Sequence, residues 1–239
     1  MTARDRLYAE PAADLVDFVF DERVVRVFPD MIRRSVPGYE LIVAMTGLLA
    51  ARYAQPHSCC YDLGASLGAT SLSMQRQVRA PGVRIVAVDT APAMIERATA
   101  LLLPNPDGAP PISLLCADVR TVALPDASVV AMNFTLQFVP PPERAALLRR
   151  IRAALPAAGA LLLAEKVATD SPFDEQLHGD FKRANGYSEM EIAQKRSALD
   201  EVLVPDSVDA HIARLHAAGF TTVEHWFHCL NWSAFVATP

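Results

Sequence analysis

Short, continuous apolar segments alternate with helical segments through the middle of the chain, and this alternation constrains the fold most strongly. Five segments have the length and composition of buried strands: residues 58–63, 84–89, 112–117, 128–134 and 160–165. Helical segments run from the turn at 64–68 to about 78, and over residues 92–102 and 142–155. Strands without polar alternation are typical of a parallel sheet covered by helices on both faces. We therefore predict an α/β fold with a mostly parallel sheet.

The two ends of the chain depart from this alternation. Residues 11–54 carry apolar residues, Val16 among them, at helical spacing, with Pro29 and Pro37-Gly38 as interruptions. Residues 172–217 predict two or three helices without an intervening strand.

The last two apolar segments, residues 220–229 and 232–238, are separated by only two residues. They predict a hairpin that adds an antiparallel strand to the end of the sheet. Because the sequence shows no repeat and no flexible linker, we expect one domain over residues 1–239. Residues 1–55 form its N-terminal helical cap and residues 172–217 a helical insertion.

The charge balance argues against direct binding of nucleic acid. The chain has 22 Lys and Arg residues against 27 Asp and Glu, a net charge of −5. A protein that holds nucleic acid by itself usually needs a surplus of basic residues to neutralise phosphates. We expect no direct nucleic-acid partner.

The N-terminal sequence, the length of the apolar segments and the cysteine spacing indicate a cytoplasmic protein. The first residues lack the apolar core of a signal peptide, and the longest apolar run, residues 41–51, is shorter than the roughly 20 residues of a membrane helix. It predicts a buried helix instead. Cys59, Cys60, Cys116 and Cys229 have no metal-binding spacing, so we expect no metal and reduced, buried cysteines.

A glycine-rich turn follows the first predicted strand. Residues 61–68 read YDLGASLG and open a helix. Gly64 and Gly68 permit a tight turn and close approach of a ligand to the backbone. Asp89 ends the second strand about 20 residues later, where an acid can accept both ribose hydroxyls. With Asp118 at the end of the third strand, the pattern predicts an adenosine-containing ligand.

The side chains in this turn favour S-adenosylmethionine over a dinucleotide. Ser66 replaces the middle glycine of the dinucleotide pattern, and Asp62 is unfavourable beside phosphates but suits a cationic amino-acid tail. An alternative is that Gly64, Ser66 and Gly68 form the G-x-S-x-G elbow of a serine hydrolase. That elbow normally follows several strands, whereas one strand precedes Ser66, which disfavours the hydrolase.

Longer segments closely resemble the carboxy-S-adenosylmethionine synthase family over nearly the whole chain. They are FDERV at 20–24, FPDMI at 28–32, RSVPGY at 34–39, PAMIER at 92–97, NFTLQF at 133–138, DFKRANGYS at 180–188 and QKR at 194–196. The resemblance implies the class I methyltransferase (Rossmann-like) fold. In that fold a mostly parallel seven-stranded sheet ends in an antiparallel C-terminal hairpin strand, here with added N-terminal helices.

The resemblance also implies an activity. Members of the family convert S-adenosylmethionine and prephenate into carboxy-S-adenosylmethionine and phenylpyruvate. The product passes to a tRNA carboxymethyltransferase that modifies the wobble uridine. A cytoplasmic homodimer is the assembly that the resemblance suggests.

Ten positions carry over as ligand-binding residues: Tyr39, Gly64, Ala65, Ser66, Asp89, Thr90, Asp118, Val119, Asn133 and Arg196. Arg196 is also the implied catalytic residue, because a guanidinium offers two parallel donors to the added carboxylate. Ala65 and Thr90 depart from the Cys and Asn of the family. Both occupy positions where backbone or small polar contacts suffice.

Two other functions remain open at the level of sequence. An ordinary S-adenosylmethionine-dependent methyltransferase that acts on a small molecule or tRNA would share the fold and the ligand site. A non-catalytic partner of a tRNA-modifying enzyme would bind the ligand without turnover. On pattern alone, Arg196 lies in a charged helical run that is typical of a solvated face.

Overall fold

The computed structural model describes residues 3–11 and 18–239, in which helices cover both faces of one seven-stranded sheet. The strands are β1 (Cys59–Leu63), β2 (Arg84–Asp89), β3 (Ile112–Cys116), β4 (Ala127–Asn133), β5 (Ala160–Lys166), β6 (Thr222–Cys229) and β7 (Trp232–Thr238). The described α-helices are α1 (Glu22–Ser35), α2 (Tyr39–Tyr53), α3 (Ala69–Gln77), α4 (Pro92–Leu102), α5 (Pro141–Ala154), α6 (Pro172–Ala184), α7 (Glu189–Leu199) and α8 (Val208–Ala217). The described residues also include one 3-10 turn, Leu136–Phe138.

The strand order is β3-β2-β1-β4-β5-β7-β6. Strands β1 to β5 are parallel to one another, and β7 is antiparallel to both β5 and β6. The predicted parallel sheet and C-terminal hairpin are thus confirmed. The chain proceeds from β1 to one side and then returns to β4 on the other. This reversal opens a crevice at the carboxyl ends of β1 and β4, where α/β proteins bind ligands.

Two apolar cores explain why the central strands lack polar alternation. Tyr61 and Leu63 of β1 belong to the core on one face, together with Leu148 of α5. Cys60, the alternate residue, belongs to the core on the other face, together with Met74 of α3. Because successive side chains of a strand point to opposite faces, a strand covered on both faces is apolar at most positions on both sides.

The N-terminal helical prediction is confirmed from Glu22 onwards and is wrong for residues 11 and 18–21, which are not helical. Val16 lies outside the described residues. Asp21 sets the start of α1 because its carboxylate accepts hydrogen bonds from the backbone N–H groups of Arg23 and Val24. Pro29 lies inside α1 instead of interrupting it. Burial of the apolar face of α1 offsets the hydrogen bond that this proline removes.

Three helices without an intervening strand fill residues 172–217, as predicted. A serine begins each of them. The hydroxyls of Ser171, Ser188 and Ser207 accept the backbone N–H of the residue three positions later. This side-chain acceptor satisfies one of the free donors at a helix N-terminus and fixes where the helix begins.

The N-terminal segment packs against α7. The backbone N–H of Phe18 donates to Ala198 O at 2.9 Å, and the Gln194 amide donates to Tyr8 O at 3.0 Å. Phe18 and Ala198 also share an apolar cluster with residues of α1 and with Met94. These contacts join the N-terminal segment to the helical insertion and hold α7 in place.

The cysteines are all free, and two of the four differ from expectation. Cys59 and Cys60 are buried, as expected. Cys116 is exposed because β3 is an edge strand and leaves one side of its last residues uncovered. Cys229 is only partly buried.

Candidate active site

Two adjoining cavities of about 490 Å³ and about 360 Å³ open at the carboxyl ends of the central strands. They share five lining residues, so they form one continuous site: Phe20, Gly64, Ser66, Phe134 and Phe138. All ten predicted ligand-binding residues line it. The first cavity has Tyr39, Gly64, Ala65, Ser66, Asn133 and Arg196, and the second has Gly64, Ser66, Asp89, Thr90, Asp118 and Val119.

The turn after β1 requires glycine at position 64. Gly64 has a φ of +81°, and a Cβ added there would lie 2.1 Å from Thr135 Oγ1. The N–H groups of Gly64 and Ala65 both donate to Val88 O, at 2.8 and 2.9 Å. The turn is therefore fastened to the end of β2 and presents backbone at the junction of the two cavities.

Asp89 fixes the same turn from the neighbouring strand. Its Oδ2 accepts the N–H of Ser66 at 2.8 Å and its Oδ1 accepts the N–H of Ala91 at 2.9 Å. Burial raises the pKa of Asp89, and these hydrogen bonds oppose the shift. Each carboxylate oxygen has a second lone pair, so Asp89 can also accept two ligand hydroxyls.

Asp118 is held by a residue that sequence reasoning missed. The Arg120 guanidinium binds both oxygens of Asp118, with Nε–Oδ1 3.0 Å and Nη2–Oδ2 2.6 Å, and also reaches Glu143 at 2.9 Å. These bonds lower the pKa of Asp118. Arg120 lines the second cavity too, so Asp118 stays ionised and oriented at its wall.

Asn133 and Tyr39 present neutral polar groups to the first cavity. The Asn133 amide nitrogen donates to Thr46 Oγ1 and Thr70 Oγ1, both at 3.1 Å, which leaves its carbonyl oxygen as a possible ligand acceptor. Tyr39 is the first residue of α2, and its ring lies 5.9 Å from the Phe134 ring. Burial raises the pKa of Tyr39 to about 12, so its hydroxyl remains a donor.

Asp62 does not line either cavity, contrary to its expected suitability for the ligand's cationic tail. Its buried carboxylate accepts a 2.7 Å hydrogen bond from Ser71 Oγ, and burial raises its pKa to about 6. The side chain points to the face that α3 covers, since strand residues alternate between faces.

The loop between the two cavities depends on Glu165, which the sequence did not single out. The Glu165 carboxylate accepts the backbone N–H groups of Thr135, Leu136 and Gln137, at 3.1, 2.7 and 3.0 Å. Burial raises the pKa of Glu165 to about 8, although these donors and Arg144 oppose the shift. Phe134 has a φ of +61°, a strained conformation that these three hydrogen bonds help to hold.

Arg196 lines the first cavity of its own chain, near Lys166, Lys182 and Lys195. Within residues 3–11 and 18–239, its guanidinium makes no hydrogen bond or ion pair. The sequence did not indicate Lys166 and Lys182, because they lie on separate elements and only the folded chain brings them to the same cavity. The solvated-face interpretation is correct in one respect, because Arg196 is exposed.

The described part of the chain contains no group of three His, Cys, Asp or Glu side chains able to hold a metal ion. None of its helices has the length and apolar character needed to cross a membrane. The hydrolase alternative also lacks support, because no described histidine contacts the Ser66 hydroxyl.

Comparison with known proteins agrees with this geometry. The family described as "Methyltransferase domain" matches residues 61–159. Human N-acetylserotonin methyltransferase, solved in complex with S-adenosylmethionine, superimposes with a TM-score of 0.61 at 18% identity. The match covers 91% of this chain and 55% of that protein. At this identity the likeness shows the class I methyltransferase fold alone.

Full-length relatives are much more similar. The carboxy-S-adenosyl-L-methionine synthase of Trichlorobacter lovleyi is 56% identical over 237 residues, covering 98% of this chain and 97% of the relative. The enzyme of the same name from Pseudomonas entomophila is 55% identical over 242 residues, covering 98% of this chain and 98% of the relative. Identity at this level over the whole length shows that the chain belongs to the carboxy-S-adenosyl-L-methionine synthase family of transferases.

Proposed function

We propose that this protein converts S-adenosylmethionine and prephenate into carboxy-S-adenosylmethionine and phenylpyruvate. Family membership supports the product, since the relatives are named for its synthesis. One observation of the site carries the proposal: Arg196 lines the cavity beside the Gly64 turn and has no acid partner among the described residues. A carboxylated sulfonium offers such a guanidinium a second carboxylate, which the S-adenosylmethionine of an ordinary methyl transfer lacks.

The two cavities divide the ligand between them. The second cavity takes the adenosine, with Asp89 accepting the ribose hydroxyls and Asp118 the adenine amino group. The first cavity takes the methionine part, close to Asn133 and Tyr39. The sulfonium methyl then lies near the junction of the cavities, at the turn that Gly64 begins.

The proposed reaction balances without an added oxidant or reductant. Prephenate loses carbon dioxide and hydroxide and becomes phenylpyruvate. The sulfonium methyl loses a proton, and the resulting carbanion forms a carbon–carbon bond with the carbon dioxide. The proton and the hydroxide leave as water.

Arg196 orients the carboxylate that this reaction creates. A planar guanidinium can donate two parallel hydrogen bonds to it, and charged hydrogen bonds of this kind are about twice as strong as neutral ones. Phe134 and Leu199 of α7 also line the first cavity, and we propose that such apolar side chains limit the access of water to the carbanion, which water would reprotonate.

The hydroxide released from prephenate is the base that we propose for the sulfonium methyl. The test is exchange of that methyl group with deuterated water, followed by mass spectrometry. Exchange only in the presence of prephenate is expected. Exchange with S-adenosylmethionine alone would show that a group of the protein removes the proton.

Two further proposals concern the protein's partners. The product serves a tRNA carboxymethyltransferase in the cytoplasm, which agrees with a net charge of −5 on a protein that need not hold RNA.

We also propose a homodimer that uses α6, where Phe173 and Leu177 are 67% and 40% exposed and lie on one face of the helix.

Mass spectrometry of the ligand released from purified protein tests the proposed function. The expected species is heavier than S-adenosylmethionine by one carbon dioxide, and it should accumulate when prephenate is added. Only S-adenosylmethionine or its demethylated product, even with prephenate present, would favour an ordinary methyltransferase or a non-catalytic binder.

A further inference from the structure

The first cavity is cationic in an acidic protein. The whole chain carries a net charge of −5. Five of the described lining residues are nevertheless basic: Arg33, Lys166, Lys182, Lys195 and Arg196. Glu175 and Asp200 are the acids that oppose them among the described lining residues. The chain contains only three lysines, at 166, 182 and 195, and all three line this cavity.

Lys195 differs from the other two lysines because it has partners. Its Nζ donates to Ser35 Oγ at 2.9 Å and lies 3.7 Å from Asp5 Oδ2. Neither Lys166 nor Lys182 has a side-chain hydrogen bond or an ion pair within the described residues. Lys166 ends β5, and Lys182 lies in the last turn of α6, so two separate elements bring unpaired ammonium groups to one cavity.

Burial and mutual repulsion disfavour the charged forms of the two unpaired lysines. Burial, followed by the charges of Lys166, Lys195 and Arg196, lowers the pKa of Lys182 to about 7. Burial and the charge of Arg196 likewise lower the pKa of Lys166. His178, one turn before Lys182, has its pKa lowered to about 3 by burial first, so it adds no charge. An anion in the cavity would relieve this repulsion.

S-adenosylmethionine does not supply net negative charge. It carries a sulfonium, an ammonium and one carboxylate, so its net charge is positive. The cations therefore require a second ligand with negative charge. Aromatic rings also border the lysines: Trp232 pairs with Lys166 in the sheet, and its ring lies 5.5 Å from the Phe134 ring. The environment suits carboxylates attached to an apolar ring.

We propose that Lys166 and Lys182 bind the carboxylates of the second substrate, a dicarboxylate with an apolar ring, which leaves Arg196 for the carboxylate on the sulfonium methyl. This inference rests on the proposed function, since it assigns a subsite to the carboxylate donor. Lys195 serves a different purpose and holds α7 against the N-terminal segment through Asp5.

Lysine NMR tests the proposal on the full-length protein saturated with S-adenosylmethionine. With ε-carbon-13 lysine the chain gives three side-chain signals, which the variants Lys166→Arg, Lys182→Arg and Lys195→Arg assign. Prephenate is the probe. The signals of Lys166 and Lys182 should shift with a common dissociation constant, and the Lys195 signal should change little.

Binding measurements on variants complete the test. Lys182→Met and Lys166→Met should each weaken prephenate binding about tenfold or more, since a charge-assisted hydrogen bond is lost. Affinity for S-adenosylmethionine should be retained, which also confirms folding. Arg183→Met is the matched control, because Arg183 is the next residue of α6 but pairs outside the cavity with Asp180 and Glu189.

The outcomes separate this inference from the proposed function. If the unaltered protein makes carboxy-S-adenosylmethionine from prephenate while both Met variants bind prephenate as tightly as the control, the subsite assignment is overturned alone. If the unaltered protein neither binds prephenate nor forms that product, both the subsite and the proposed function are overturned.

Discussion

The backbone N–H of Ser66 donates a 2.8 Å hydrogen bond to Oδ2 of Asp89, across 23 residues of sequence. The turn after β1 and the acid that ends β2 therefore form one unit. A ligand that displaces or reorients the carboxylate also affects the turn. Substitutions in either element should consequently change both stability and ligand affinity.

Gly64→Ala should lower both the free energy of unfolding and the affinity for S-adenosylmethionine. The added Cβ meets Thr135 at 2.1 Å in a backbone conformation with φ of +81°. We expect a loss of about 3 kcal/mol, from strain and overpacking together. Urea denaturation and calorimetric titration measure the two effects.

Gly108→Ala is the matched control, since Gly108 has a φ of +74° with no atom within 4 Å of an added Cβ. This variant should lower the free energy of unfolding by about 1 kcal/mol, because of backbone strain alone, and leave ligand binding intact. Equal losses for the two variants would show that the close approach of Thr135 is unimportant.

Arg196→Lys should weaken binding of carboxy-S-adenosylmethionine about tenfold, with little change for S-adenosylmethionine. Lysine keeps the charge but loses the two parallel donors. Calorimetric titration with both ligands measures the difference, with Arg183→Lys as the control for the same substitution at an arginine that pairs outside the cavity. Similar losses for both ligands would place Arg196 on the part that they share.

Prephenate binding should weaken as pH rises above about 7. Lys182 has its pKa lowered to about 7 by burial, with Lys166, Lys195 and Arg196 adding to the shift. Glu175, on the same helix, and His178 also line the cavity. Only the protonated ammonium attracts a carboxylate, so affinity is full below this pKa and falls above it.

Lys182→Arg should flatten this pH profile, because a guanidinium stays protonated over the accessible range. The dissociation constant, measured by titration from pH 6 to 9, gives the comparison. An unchanged profile in the variant would assign the pH dependence to another group.

Tyr187→Phe should destabilise the protein by about 1–3 kcal/mol, since a buried acceptor loses its partner. The Tyr187 hydroxyl donates to Asp5 Oδ2 at 2.5 Å, and this bond ties the start of the chain to the segment before α7. Urea denaturation measures the loss. Tyr53→Phe, outside this network, is the control, and equal stability of the two variants would contradict the prediction.

Phe173→Asp should convert the proposed homodimer into monomers. Phe173 is 67% exposed on α6, and a charge in an apolar interface is costly. Sedimentation velocity measures the mass. Leu101→Asp, at a 49% exposed apolar residue of α4, is the control and should remain dimeric. A monomeric unaltered protein would exclude the dimer itself.

The local sequence pattern was sufficient to predict the sheet and the glycine turn, but it did not predict where the first helix begins. The prediction for β2 and α4 agrees with the structure to the residue, because apolar runs with Asp89 and Pro92 at their boundaries define both elements. The start of α1 was missed, since it depends on the capping carboxylate of Asp21. The family resemblance, not periodicity, indicated Tyr39 and Arg196, whose role in binding stays a prediction.

The sequence by itself determined the parallel sheet, its C-terminal hairpin and the glycine turn, because each follows from neighbours within a few residues. Only the tertiary structure decided which charges face one another. Lys166, Lys182 and Arg196 meet in one cavity, and Asp62, adjacent to the turn, is excluded from it. The physical reason is that the electrostatics of a site depend on burial and on distances through space, which no local pattern records.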